Sequence, residues 1–226
     1  MLVPDAGGGP FPVVMQLHGY SDDAWSWLYN SRIATHAATW PMMVVFPDGG
    51  TSRYLNLPYH ERFGLQNYED LLMRDIPREV ARLFPVRQGK WAIGGLSMGG
   101  FGALRLGLKH PDRFASVWAH SSGLRPLDDS FLARLADPRD VDLIHLAEEA
   151  LKGPDVPVVS LGCGVDDDPL INYNREFHSA LQDLGFPHTW NEHPGAHTWD
   201  YWDLHVQEAL AQHARVFELA GKGGRP

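Results

Sequence analysis

Lys90-Trp91-Ala92-Ile93-Gly94-Gly95-Leu96-Ser97-Met98-Gly99 is the stretch on which the fold of this chain turns. Lys90 to Gly94 is a short apolar run of strand type, and Met98 to Lys109 reads as a helix with Phe101, Leu104 and Leu108 on one face. Between them, Gly95-Leu96-Ser97-Met98-Gly99 must turn sharply. A serine at the tip of a strand-turn-helix stands clear of the sheet and can act as a nucleophile. Side chains at positions 95 and 99 would collide with the neighbouring strand and helix, which explains the two glycines. The helix N-terminus behind Ser97 favours negative charge and directs free N–H groups towards it.

Outward from this turn, strand-like and helix-like runs alternate, the pattern of an α/β fold with a mostly parallel central sheet flanked by helices. The expected strands are Pro12–Leu17, Met42–Phe46, Trp91–Gly95, Ala115–His120, Val156–Leu161 and His188–His193. Helices are expected over Tyr68–Leu83, kinked or restarted at Pro77, over Asn172–Leu184, stopped by Gly185, and over Asp203–Leu219. Residues 124–154 break the alternation with short helical pieces and read as a small helical lid insertion. The tail 220–226 (GKGGRP after Ala220) is expected to be disordered.

A length of 226 residues suits a single domain, 1–226, and 44% hydrophobic residues suffice for its core. A net charge of −9 without a basic cluster argues against nucleic acid or an anionic membrane as partner, and no segment is apolar enough to span a bilayer. The single cysteine, Cys163, falls in a buried-strand pattern and reads as a core residue. With no basic and apolar leader at the N-terminus, a cytoplasmic location is the expectation.

A serine hydroxyl needs a base, and the base needs an orienting acid. In a sheet of this kind the acid follows the next-to-last strand and the histidine follows the last. Gly162-Cys163-Gly164-Val165-Asp166-Asp167-Asp168 and Pro194-Gly195-Ala196-His197-Thr198-Trp199 occupy those places, so the triad reads Ser97, Asp167, His197. Three consecutive aspartates compete for the acid position; the others would be solvated or cap the following helix. The oxyanion hole is assigned to the backbone N–H groups of Met98 and Tyr20. No metal is expected: Pro194 and Gly195 break the helix that a His193/His197 zinc pair would need, and the aspartates lack the spacing of a calcium loop. No other cofactor is indicated.

These features resemble the esterase D-like branch of the α/β-hydrolases, which includes carboxylesterases, feruloyl and acetylxylan esterases and S-formylglutathione hydrolases. The matching residues are Val13–Gly19 with Asp22-Asp23, Val44–Gly50, Gly94–Ala103, Lys109–Phe114, Gly164–Asp167, Asn174–Phe177 and Gly195–Trp202, so the similarity runs from Pro12 to Trp202. Within it, the Gly-x-x-Asp pattern selects Asp167, while counting back from Asn174-Arg175 selects Asp168. The resemblance implies a sheet ordered 4-3-5-6-7-8 in the family's strand numbering, lacking the two N-terminal strands. Met42–Phe46 then becomes an edge strand, to be covered by a second copy in a homodimer or by the N-terminal residues folding back.

The expected substrate is a small-molecule carboxylic ester with a short or aryl acyl group. Trp199 and Trp202 either pack the His197 loop or line an apolar pocket, and His18 and Gly19 either brace the loop after the first strand or touch substrate. No basic patch is evident near the motifs, which favours simple esters over a glutathione thioester. An acyltransferase, a thioesterase on the same triad and a non-catalytic binding scaffold are the alternative readings.

Overall fold

Val13–Leu17 shows why the sheet forms: every residue is buried, and successive side chains serve opposite layers. Met15 and Leu17 join one apolar cluster and Val14 another. The computed structural model describes residues 1–5, 8–62 and 64–219; the expected tail 220–226 lies outside the described residues.

In chain order the strands are β1 (Val13–Leu17), β2 (Met43–Val45), β3 (Asn56–His60), β4 (Gly64–Asn67), β5 (Trp91–Leu96), β6 (Phe114–His120), β7 (Val158–Gly164) and β8 (His188–His193). The helices are α1 (Ser26–Asn30), α2 (Ile33–Ala37), α3 (Tyr68–Asp70), α4 (Ile76–Leu83), α5 (Met98–Lys109), α6 (Asp129–Leu132), α7 (Leu143–Lys152), α8 (Leu170–Leu184) and α9 (Trp199–Val216). Six strands form one parallel sheet ordered β2-β1-β5-β6-β7-β8, the order the resemblance implies. α5, α7 and α8 supply the core on one face. α1, α2 and α9 supply it on the other, where Trp27 is buried and its indole N–H donates to the Leu17 carbonyl at 2.9 Å. Because the chain runs from β1 out to β2 and then back to β5, the loops after β1 and β5 diverge, leaving a crevice at the carboxyl ends of these two neighbouring strands.

Several boundaries differ from expectation. The Tyr68–Leu83 helix contains a π-helical turn, Leu71–Asp75, just before Pro77. Proline removes the N–H that would bond the Met73 carbonyl, and Arg113 Nη2 donates to that oxygen instead, at 3.2 Å. α9 starts at Trp199, four residues before the expected start, so both tryptophans of the His197 loop belong to its first turn. β3 and β4 form an antiparallel hairpin that the sequence did not suggest. Within 124–154, α7 is a core helix, its Leu146 and Ala147 buried in the α5 cluster, whereas Leu124–Val141 runs along the crevice side as α6 and a 3₁₀ turn.

β2 is the sheet edge, yet Met43, Val44 and Val45 are buried. Leu2 folds back against it as an antiparallel bridge, exchanging hydrogen bonds of 2.7 and 3.1 Å with Val44. No helix among the described residues is long and apolar enough to cross a membrane.

Candidate active site

Ser97 sits between β5 and α5 with φ 53° and ψ −116°, a conformation L-residues rarely adopt. The two glycines make it achievable. A Cβ at Gly95 would lie 2.4 Å from the Gly99 carbonyl oxygen, and one at Gly99 would lie 2.6 Å from the carbonyl oxygens of Leu17 and His18. The backbone around Ser97 is tied on both sides: its N–H donates to the His120 carbonyl (2.9 Å), and its carbonyl accepts from Gly123 N–H (2.8 Å). Asn174, reaching from α8, holds the loop before Gly123 by donating to the Ser122 carbonyl and accepting from the Ser122 N–H.

The loops after β7 and β8 are brought together by a close backbone approach. Asp166 N–H donates to the Gly195 carbonyl and Val165 N–H to that of His193, both at 2.9 Å. A Cβ at Gly164 would lie 2.2 Å from the Gly195 oxygen, so only glycine permits the approach. Asp167 and His197 therefore meet: His197 Nδ1 is 2.9 Å from Asp167 Oδ2, and His197 Nε2 is 3.0 Å from Ser97 Oγ. A buried carboxylate at Nδ1 places the ring proton there and leaves Nε2 to accept the serine proton. Asp167 is 1% exposed. Asp166 and Asp168 are exposed, and Asp168 lines the crevice without touching His197. Cys163 is buried with Sγ 3.8 Å from Asp167; burial and that carboxylate push its thiol up to about 12, so it stays protonated and inert.

Behind His197 stands Trp202, edge to face with ring centroids 4.8 Å apart, its own N–H donating to Ser121 Oγ. Trp199 and Trp27 continue the aromatic stack. Of the four residues considered for substrate contact, none lines the crevice. Trp202 is 4% exposed and Trp199 packs between Trp202 and Trp27, so both brace the histidine loop. His18 is 1% exposed, with both ring nitrogens engaged: Nδ1 donates to the Gly19 carbonyl at 2.7 Å, and Nε2 accepts from Gly49 N–H at 2.9 Å. Gly19 is buried, its N–H bonded to Asp22 Oδ2. His18 and Gly19 thus brace the loop that carries Tyr20.

Tyr20 itself is 60% exposed and lines the crevice with Met98. Among the described residues, the backbone N–H groups of Tyr20 and Met98 have no acceptor. The space they border, about 280 Å³, also touches Gly123 and Leu170. Sequence reading missed its two cations: Arg53 and Arg125 line it too, although no basic patch was expected near the motifs. Neither lies in a recognisable motif; tertiary approach of two separate loops brings them there.

His193 forms a group with His205 and Glu208, whose donor atoms lie within 4.8 Å of one another. The two imidazoles are stacked with centroids 4.2 Å apart and planes 12° from parallel. Their in-plane lone pairs therefore run side by side instead of converging on one ion.

A family model described as "Putative esterase" matches residues 1–213. An acetyl esterase of Caldicellulosiruptor saccharolyticus is 28% identical over 224 residues, covering 88% of this chain and 82% of that protein. Among solved structures, the fluorophosphonate-binding serine hydrolase F of Staphylococcus aureus superposes with a TM-score of 0.81 at 24% identity, covering 93% and 89% of the two chains. The S-formylglutathione hydrolase of the same organism gives 0.78 at 24% identity, covering 93% and 90%. These structural likenesses concern the fold.

Proposed function

This chain belongs to the esterase family and is a carboxylic ester hydrolase; we propose that it works through an acyl-enzyme on Ser97, with His197 as base and Asp167 as its orienting acid. The observation that carries the reading is the unbroken hydrogen-bond chain from Ser97 Oγ through both nitrogens of His197 to Asp167. Ser97 Oγ attacks the ester carbonyl while His197 Nε2 takes its proton. Asp167 stabilises the imidazolium that forms. The N–H groups of Met98 and Tyr20 receive the negative charge that develops on the carbonyl oxygen, and the N-terminus of α5 adds its dipole. His197 then gives the proton to the departing alkoxide. Water, deprotonated by the same nitrogen, releases the acid and frees Ser97.

A space of about 280 Å³, at the small end of ligand sites, supports a short acyl or single-ring aryl group. The acetyl esterase relative supports the same choice. A cytoplasmic setting belongs to this reading, supported by the single, buried cysteine. The experiment is hydrolysis of p-nitrophenyl acetate, butyrate and octanoate, with methyl ferulate alongside, by the wild type and Ser97→Ala. Wild-type turnover that falls steeply from acetate to octanoate and drops by roughly 10³-fold or more in the variant is expected. A rate unaffected by the substitution contradicts the mechanism; a preference for octanoate contradicts the short-acyl assignment.

A further inference from the structure

The chain carries 28 acidic and 19 basic residues, and its other placed arginines mostly sit on carboxylates. Arg32 pairs with Asp203, Arg105 with Glu69 and Arg175 with Glu192. The two arginines of the Ser97 crevice differ. Among the described residues neither Arg53 nor Arg125 has a carboxylate within ion-pair distance, although Asp168 lines the same crevice.

Arg53 is held in place by its surroundings. Its backbone lies in the left-handed region (φ 56°), as does that of Tyr54 (φ 61°). Tyr54 is fully buried and its hydroxyl donates to the His18 carbonyl, anchoring this strained turn beside the Tyr20 loop. The guanidinium lies 5.9 Å from the ring centres of both Phe101 and Phe131. Phe101 is one helical turn beyond Ser97, its N–H bonded to the Ser97 carbonyl, so Arg53 is fixed next to the nucleophile. Burial lowers its pKa, outweighing the opposing pull of Tyr20 and Asp128, neither of which reaches it as a hydrogen-bond or ion-pair partner. Arg125 lines the same space from another loop, two residues after Gly123, whose N–H binds the Ser97 carbonyl. Two arginines from separate loops thus line one small space together with Ser97. A partly desolvated guanidinium without a protein acceptor is matched by a carboxylate or phosphate oxygen.

We propose that the crevice selects esters carrying an anion, a carboxylate or a phosphate, on the part of the substrate that does not react, held by Arg53 and Arg125. This rests on Ser97 being the esterase nucleophile.

The test compares acetate esters that differ in charge. 4-Acetoxybenzoate is set against its neutral methyl ester for the carboxylate arm, and 4-acetoxyphenyl phosphate against phenyl acetate for the phosphate arm. Phenyl hemisuccinate against phenyl butyrate places the anion on the acyl side. Each kcat/KM is divided by the ester's own rate with hydroxide to remove leaving-group effects. At least one charged ester is expected to exceed its neutral partner by about tenfold or more, mainly through KM. The advantage should shrink as added salt screens the contact. In Arg53→Gln and in Arg125→Gln, with melting temperature checked for each, the ratio is expected to move towards one whatever happens to the absolute rates, and Arg53→Lys to retain part of it. Ratios near one in the wild type, with neutral esters still turned over, overturn the anion assignment and leave the esterase reading standing. A high ratio kept by both Gln variants overturns the role of these arginines. Failure to hydrolyse any ester overturns both readings.

Discussion

Asp167 Oδ2 and His197 Nδ1 lie 2.9 Å apart, and the carboxylate makes this contact from inside the protein, 1% exposed, while Asp166 and Asp168 on either side face solvent. Asp167→Asn keeps the shape but removes the charge that fixes the ring tautomer. It is expected to lower kcat by about 10⁴-fold with little change in KM. Asp168→Asn should change kcat by less than about tenfold. Steady-state kinetics of the two variants side by side decide between them, and an equal loss in both contradicts the assignment.

His18 acts on catalysis through the loop it holds. Both of its nitrogens bond to backbone, to Gly19 on one side and Gly49 on the other. His18→Ala leaves the Gly49 N–H without its acceptor, at a cost of about 1–3 kcal/mol in stability. Loosening the Gly19-Tyr20 peptide should reduce kcat more than it raises KM, because the Tyr20 N–H serves the transition state. Chemical denaturation with kinetics on the same preparation reads both effects. Unchanged stability contradicts the bracing role.

The Arg105 guanidinium is buried between Glu69 (Nη2 to Oε2, 2.5 Å) and the Asp140 carbonyl (Nε to O, 2.7 Å), tying α3 and the 3₁₀ turn to α5. Burial alone would raise the Glu69 pKa, but His110, Arg105 and Lys109 outweigh it and hold the carboxyl far below its ordinary value. Arg105→Met removes the Glu69 Oε2 partner, leaving only His110 and Lys109 on Oε1, and is expected to cost about 1–3 kcal/mol. Adding Glu69→Leu removes the under-paired carboxylate and should recover part of that loss. A double variant no more stable than Arg105→Met contradicts a charge-pairing role.

His120 and His213 are fully buried, and their pKa values are pushed down to about 3. For His120 burial dominates, with His205 and His213 adding to it; for His213 burial is the cause. Both titrate near 6.5 in the unfolded chain. Their contribution to stability is therefore complete above that value and shrinks as pH falls towards 3, because the unfolded chain takes up protons the folded one refuses. Two such groups give a slope of up to about 2.7 kcal/mol per pH unit. Denaturation midpoints between pH 8 and 5 measure it. His213→Gln should cut the slope by about half whatever it does to stability at pH 8, and an unaltered slope contradicts a neutral, buried His213.

Most of the sheet was legible because β1, β5, β6 and β7 are buried on both faces and read as apolar runs, and because the Ser97 turn depends on contacts between neighbours in sequence. Asp167 and His197 were legible for a related reason: each follows the strand that delivers it. The β3–β4 hairpin was not, since Asn56–His60 and Gly64–Asn67 are largely exposed and carry no alternating apolar signal. Arg53 and Arg125 escaped notice because their placement comes from separate loops meeting over α5, which no spacing along the chain encodes. The roles of Trp199 and Trp202 stayed open until the start of α9 was fixed four residues earlier than periodicity suggested.

The acyl-enzyme itself is the most direct test. Wild-type protein is mixed rapidly with p-nitrophenyl acetate, the release of p-nitrophenol is followed before steady state, and acid-quenched samples are mapped by peptide mass spectrometry. A burst stoichiometric with enzyme, with the acetyl group on the peptide containing Ser97 and absent from Ser97→Ala, is the expected result. Turnover with the label on another residue, or persisting in the variant, contradicts the assignment of Ser97 as nucleophile.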